Sequence, residues 1–167
     1  MGAKEALVAE FEKRVFQESY VRIFKCLSML EEEQLWKQPN AQVVPIGNLV
    51  IHLCGNARQW VLSGIGGVED NRDRQQEFRP QDNIRKSDLI FLLENLRVNI
   101  RQTLREMDPK CLQQEMMIQG FRTTGFSAMI HVIEHFSYHT GQITLLTKWL
   151  TGTETKYYDS FNLDLLN

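Results

Sequence analysis

Residues 127–150 read SAMIHVIEHFSYHTGQITLLTKWL, and this stretch decides the fold. Its apolar side chains recur at the spacing of one helix face, as Val132, Phe136, Ile143, Leu146 and Leu150. The pattern predicts a long amphipathic helix that begins at Ser127. Gly152 is expected to end it, because glycine readily takes the left-handed conformation that follows many helices.

Three of the chain's four histidines lie in this stretch, at His131, His135 and His139. A spacing of four places successive members on nearly one face. The three histidines cannot all bind the same ion. A rise of about 1.5 Å per residue separates the first from the last by about 12 Å along the helix, whereas zinc–imidazole bonds are about 2.0–2.1 Å. His139 lies within the apolar stripe, His135 at its margin and His131 about 100° from its centre. We therefore predict that His135 and His139 are the inward-facing pair of metal ligands.

His52, the one histidine outside this helix, is the candidate third ligand. It lies one turn after Asn48 and one turn before Asn56, on the edge of the apolar face of a helix predicted between Pro45 and Gly64. Metal sites in helix bundles are built from side chains of facing helices. On spacing alone, however, packed histidines with one satisfied nitrogen explain the pattern as well as a metal site does.

Two more helices follow from the same period. One is predicted from about Ala3 to Leu30, and the other from an N-cap at Ser87 to the break at Asp108-Pro109. Between the third and fourth helices, residues 116–122 are interpreted as a short extended piece or a hairpin.

The links between the helices bear on their arrangement. Ile65 to Lys86 and Asp108 to Phe126 are both longer than the roughly 2–8 residues that join antiparallel neighbours. A long link lets the chain travel the length of a bundle and restart in the same direction. The sequence therefore predicts an all-α four-helix bundle with at least one crossover connection.

Composition limits the class of protein. With 167 residues, 43% hydrophobic and 24% charged, the chain is expected to form one domain over residues 1–167. A net charge of -2 argues against nucleic-acid binding. No apolar run approaches the roughly 18 residues of a membrane span and no signal peptide is recognisable, so we expect a cytoplasmic protein without membrane contact. Cys26, Cys54 and Cys111 are expected to be buried free thiols.

Three segments resemble those of a known superfamily. Residues 134–143, EHFSYHTGQI, resemble the DinB-like signature, in which an inward-facing HxxxH motif runs into a Gly-Gln pair. Residues 48–53, NLVIHL, resemble its first ligand segment. Arg72-Asp73-Arg74 followed by Glu77-Phe78 resembles the linker between the second and third helices in a branch without assigned function. The resemblance covers most of the chain, although Tyr138-His139 stands where several relatives carry two adjacent histidines.

The resemblance implies a four-helix bundle of up-down-down-up order with long crossover loops. It also implies a divalent-metal site made by His52, His135 and His139, and often a homodimer. Characterised relatives include thiol transferases that use bacillithiol and isomerases that use mycothiol. Zinc, nickel and iron all suit imidazole ligands, so the identity of the ion stays open. The aromatic tail at residues 157–161 also favours a dimer, but it suits packing on its own bundle equally well.

Such a site predicts chemistry. Three neutral imidazoles leave the charge of the ion uncompensated and a coordination position open, which suits a thiolate or a hydroxide. We therefore expect a metal-dependent enzyme that activates a low-molecular-weight thiol or water for attack on a small molecule, similar to a thiol S-transferase. The alternatives are a non-catalytic metal-binding or stress-associated protein and a metal-dependent hydrolase.

Four polar side chains near the predicted ligands are candidates for supporting roles. Glu134 and Tyr138 are the candidate catalytic residues for proton transfer, with Gln142 beside them on the same helix and Asn56 on the second helix. A solvated helix face explains these side chains about as well.

Overall fold

Four long helices, short 3₁₀ turns and one hairpin make up the part of the chain that the computed structural model describes, namely residues 2–81, 83–159 and 163–164. The expectation of a helical protein is confirmed in its main part. One two-stranded sheet is present among these residues, so the chain is mostly rather than purely helical.

The long helices are labelled α1 to α4. Helix α1 covers residues 3–29 and comprises Ala3–Phe11, a π-helical stretch Glu12–Ser19 and Tyr20–Met29. Helix α2 covers residues 46–63 and comprises Ile46–Ala57 and a π-helical stretch Arg58–Ser63. Helices α3 and α4 are Lys86–Glu106 and Gly125–Thr151. The 3₁₀ turns are Glu32–Trp36, Gln76–Phe78 and Pro109–Leu112.

The extended piece predicted before α4 is a hairpin. Strand β1, Glu115–Ile118, pairs antiparallel with strand β2, Phe121–Thr124. Gln119 and Gly120 form the turn with φ angles of 54° and 80°. Positive φ at both positions matches the twist of the two strands, which is why a two-residue turn suffices.

Two predicted helix starts are wrong. Helix α3 begins before Ser87, because the Asp88 carboxylate accepts the Arg85 backbone N–H at 2.9 Å and makes Arg85 the N-cap. Helix α4 begins two residues before Ser127, because the hydroxyl of Thr124 accepts the Ser127 backbone N–H at 3.2 Å. Ser87 is therefore not the N-cap of α3, and Thr124 is the N-cap of α4.

Contacts of α1 orient two of its neighbours. The Tyr20 ring stacks on Phe136 of α4 at 5.6 Å between centroids, and Cys26 lies against Thr144 further along both helices. Helices α1 and α4 therefore run in the same direction. The Tyr20 hydroxyl donates to the Leu93 carbonyl of α3 at 3.1 Å, whereas the N-terminal part of α1 reaches the C-terminal end of α3 through Lys4, so these two helices are antiparallel.

The core lies between the four helices. Its largest fully buried side chains come from all of them and include Phe11, Tyr20, Leu53, Leu93, Ile100 and Phe136. The three cysteines are buried free thiols, as expected. Within the described ranges, no helix combines the length and the apolar composition that crossing a membrane requires.

The described part of the aromatic tail packs on its own chain. The Tyr157 hydroxyl lies 2.8 Å from the Thr144 hydroxyl and 3.0 Å from the Cys26 sulfur, and the Tyr158 hydroxyl accepts from Arg22 at 2.7 Å. Ser160 and Phe161 lie outside the described residues. The described residues of the tail thus fit the alternative of packing on their own bundle.

Candidate metal centre

Three imidazoles from two helices meet at one point. His52 lies on α2, and His135 and His139 lie one turn apart on α4. One ring nitrogen of each lies within 4.8 Å of the other two. His52 and His139 are buried and His135 is half-buried. The fold thus brings together the three side chains that the sequence singled out.

The spacing of the nitrogens fits a shared ion. The Nε2 atoms of His52 and His135 are 3.0 Å apart. Two imidazole nitrogens bound to one tetrahedral zinc ion are separated by about 3.3 Å, given bonds of about 2.0–2.1 Å. Imidazole nitrogen is also a ligand that zinc, nickel and iron accept. The donor set and its spacing therefore suit a divalent transition metal.

The histidines of α4 are held neutral, which is the ligating form. Burial, together with the neighbouring imidazoles of His139 and His52, lowers the pKa of His135 to about 3. Burial also lowers the pKa of His139 below its ordinary value, although a hydrogen bond from the ring to Gln142 opposes this. Both rings therefore keep a lone pair at neutral pH.

The second nitrogen of His52 is bound by a carboxylate. Nδ1 of His52 lies 2.7 Å from Oε2 of Glu77, which comes from the 3₁₀ turn between α2 and α3. Burial opposes ionisation of Glu77, but hydrogen bonds from Arg72 and His52 outweigh it and hold the pKa below its usual value. An ionised carboxylate only accepts hydrogen bonds, so Nδ1 donates to Glu77 and Nε2 is the nitrogen that faces His135.

Arg72 fixes the position of Glu77. Its Nε donates to Oε1 at 2.6 Å and its Nη2 to Oε2 at 2.8 Å, in the two-pronged geometry that guanidinium and carboxylate groups favour. Arg72 also donates to the side-chain oxygen of Gln59 at 2.8 Å, and Gln59 donates to Asp70 at 2.7 Å. The carboxylate behind His52 thus belongs to a continuous network of polar side chains.

Two residues of α2 allow the linker to approach this closely. Asn48 donates through its amide nitrogen to the backbone carbonyls of Glu77 and Arg79, both at 2.8 Å. Gly55 has no side chain, and a Cβ at that position would collide with the Glu77 carboxylate. The linker is therefore fastened to the helix that carries His52.

His139 is oriented from its own helix. Its Nδ1 lies 2.6 Å from the side-chain oxygen of Gln142, three residues later on α4. An amide oxygen accepts, so Nδ1 carries the proton and Nε2 is left with the lone pair. Gln142, the second residue of the Gly-Gln pair after the HxxxH motif, thus orients a candidate ligand.

His131 lies outside the group of three. Its ring stacks on Trp60 at 3.8 Å between centroids, and its Nε2 lies 3.1 Å from the amide nitrogen of Asn56. The ring also lies nearly parallel to that of His135, at 5.4 Å. Asn56, a candidate supporting residue, thus contacts His131 and not the three clustered histidines.

The two candidate catalytic residues occupy different places. The Tyr138 ring meets His139 edge-on at 5.1 Å and lines a cavity next to the histidines. Glu134 is exposed on α4 and is not among the residues that line that cavity.

The cavity has a volume of about 800 Å³, within the range of about 300–1,000 Å³ typical of small-molecule sites. His52, His135 and His139 form part of its wall. Most of the remainder is apolar and includes Val43, Val44, Leu49, Phe78, Leu145 and Trp149. A small molecule in this space would lie directly against the three imidazoles.

A comparison with protein families places the chain. The model of the family described as protein of unknown function (DUF1572) matches residues 6–159. The chain belongs to this family. No curated protein and no solved structure matches it.

Sequence reasoning on this DUF1572 protein missed the network behind His52. In the sequence, Arg72 and Glu77 stand out only as part of the linker resemblance, and no pattern there marks Gln59 or Asp70. A usable signal was nevertheless present, because a buried histidine that ligates through one nitrogen needs an acceptor for the other.

We predict that Glu77→Gln lowers the free energy of unfolding of the metal-free protein by about 3 kcal/mol, since it leaves the buried Arg72 without an anionic partner. Urea unfolding followed by far-ultraviolet circular dichroism, in the presence of a chelator, measures this loss. The matched control is Glu94→Gln. Glu94 pairs with Arg97 in a partly exposed position, where an ion pair contributes at most about 1 kcal/mol. Equal losses in the two variants would contradict a structural role for the Arg72–Glu77 pair.

Proposed function

We propose that this protein binds one divalent transition metal ion through His52, His135 and His139 and activates a thiol or a water for attack on a small molecule, in the manner of a thiol S-transferase. The observation that carries the proposal is the convergence of three imidazole nitrogens within 4.8 Å of one another at the wall of a cavity. The opposite nitrogens of His52 and His139 are already occupied by Glu77 and Gln142, which leaves the Nε2 atom of each for an ion.

We further propose that the chain is a DinB-like bundle of up-down-down-up order. Helices α1 and α4 run in one direction, and α3 runs against α1. Helix α2 runs against α4, because Trp60 meets His131 while His52, earlier on α2, meets His135, later on α4. These pairwise directions support the order that the resemblance implies.

A bound divalent ion would supply Lewis acidity and favour the anionic form of a thiol or a water. The chain's own residues prepare for this. Glu77 and Gln142 hold His52 and His139 in the tautomer that presents Nε2. A substrate that covered the apolar wall of the cavity would itself displace water from the imidazoles, which strengthens electrostatic interactions there.

Tyr138 is the proposed proton-transfer residue. It lines the cavity and its ring contacts His139, which supports the proposal that its hydroxyl gives a proton to a leaving group or takes one from a nucleophile. Glu134 is exposed and lies outside the cavity lining, which weakens its candidacy.

Metal content tests the ligand set. His52→Ala, His135→Ala and His139→Ala are each expected to lower the affinity for zinc, nickel or cobalt(II) by at least about tenfold, since a three-ligand site loses a third of its protein donors. His131→Ala is the matched control, because this imidazole comes from the same helix and stacks on Trp60 and His135, but it supplies no nitrogen to the group of three. Inductively coupled plasma mass spectrometry after dialysis against each metal measures the result. If His131→Ala and His139→Ala lose metal equally, the ligand assignment is wrong.

Cobalt(II) makes the proposed chemistry visible. A thiol such as glutathione or coenzyme A, added to the cobalt(II)-loaded protein, is expected to produce an intense sulfur-to-cobalt absorption band. When an aryl halide is added as the second substrate, the thiol is expected to displace the halide and form a thioether. His139→Ala is expected to abolish both signals. Tyr138→Phe is expected to keep the band and slow turnover, because a proton-transfer residue acts on the barrier more than on binding. With no band and no conjugation for any common cellular thiol, the hydrolase or the non-catalytic function becomes the better proposal.

The resemblance also leads us to propose a homodimer. Multi-angle light scattering is expected to give twice the chain mass of 19.5 kDa. A monomer mass across micromolar concentrations would rule the dimer out.

A further inference from the structure

The cavity beside the three histidines has walls of two kinds. Most of the lining is apolar, whereas Arg74 contributes the one permanently charged group among the described lining residues. From this combination we infer that the cavity takes an amphiphilic carboxylate, a small molecule with an apolar body and one anionic group that pairs with Arg74. The inference rests on the proposed function, because it names the substrate class of the same site.

The apolar body follows from side chains that the protein leaves open to water. Leu145 and Trp149 are 68% and 57% exposed, and both line the cavity together with Val44 and Phe78. Covering apolar surface stabilises a complex by about 25 cal/mol per Å² removed from water. Because the cavity volume of about 800 Å³ far exceeds that of a small inorganic anion, the occupant needs a body of several carbon atoms.

The anionic group follows from the surroundings of Arg74. Its guanidinium carbon lies 5.1 Å from the centre of the Phe78 ring, which is also part of the wall. No carboxylate in the described part of the chain forms an ion pair with it, in contrast to Arg72 two residues earlier, which is held by Glu77. Arg74 is thus available to a ligand, and guanidinium groups recognise carboxylates in a two-pronged geometry.

The distance from Arg74 to the histidines sets the length of the molecule. The Phe78 ring centre is 4.8 Å from that of His52, so the guanidinium carbon of Arg74 lies at most about 10 Å from the His52 ring. When the anionic group of the ligand pairs with Arg74, a carbon atom several bonds further along the ligand therefore lies next to the imidazole nitrogens. Arg74 acts as a specificity residue in this arrangement, and the reacting atoms lie at the other end of the cavity.

Calorimetric titration of the chelator-treated full chain tests the inference without any metal. The probes are octanoate and octan-1-ol, which share an apolar body and differ in charge. The wild-type protein is expected to bind octanoate about fivefold more tightly than octanol, since a partly exposed ion pair contributes about 1 kcal/mol. Arg74→Gln is expected to remove this preference and to leave octanol binding unchanged. Arg79→Gln, which removes an exposed arginine outside the cavity lining, is expected to keep the preference.

A second variant tests the apolar wall. Leu145→Ser is expected to weaken both probes by about fivefold while keeping their ratio, because it removes apolar contact without touching the charge. Equal affinities of the wild-type protein for the two probes, or the same loss of preference in Arg74→Gln and Arg79→Gln, would overturn the inference. A third result would also overturn it: neither probe binds, and Trp149→Arg converts a dimer to a monomer. In that case, a second copy of the chain covers this face.

Metal content of the same preparations separates this inference from the proposed function. Protein that holds no metal but binds octanoate through Arg74 contradicts the proposed function and supports the carboxylate site. Protein that holds metal on the three histidines but shows no preference for octanoate supports the metal site of the proposed function and contradicts the carboxylate site.

Discussion

The hydrogen bond between His52 and Glu77 is the interaction on which the candidate site depends. It joins a helix to the long linker that follows it, and it places a carboxylate where almost no water reaches. A buried carboxylate is tolerable only when it is paired and fully hydrogen-bonded, and Arg72 meets that requirement with two donors. The linker must therefore adopt one path, and that path also brings Phe78 to the cavity.

The three histidines are supported unequally. His52 relies on a charged partner from the linker and His139 on a neutral amide from its own helix, whereas His135 is placed by ring contacts with His131 and His139. A charged acceptor raises the basicity of the opposite nitrogen more than an amide does. The Nε2 atom of His52 is therefore expected to be the strongest electron donor to a metal ion among the three imidazoles, although His52 is the only one of the three outside the HxxxH motif.

The cavity and the polar network lie on opposite sides of His52. On one side, Arg72 pairs with Glu77 and is also bound to Gln59, and this network favours a rigid imidazole. On the other side, exposed apolar side chains such as Trp149 leave contacts for a ligand unfilled. A rigid donor set beside an unfilled apolar space is the arrangement expected of a site that binds small molecules, and it gives this family of unknown function a concrete chemical hypothesis.

The sequence by itself determined the long helices and the inward-facing pair His135 and His139, because a period of 3.6 and a spacing of four depend on local geometry alone. It left residues 116–122 as an extended piece or a hairpin, and it offered His52 only as a candidate third ligand. The sequence did not identify Arg85 and Thr124 as the N-caps of α3 and α4, since several nearby side chains compete for the same amides. Only the tertiary structure decided that Glu77 lies behind His52 and that His131 stacks on Trp60. It also decided that Arg74 borders a cavity. These contacts join residues far apart in the chain. They depend on how a long linker packs against a helix, and local periodicity does not describe that packing.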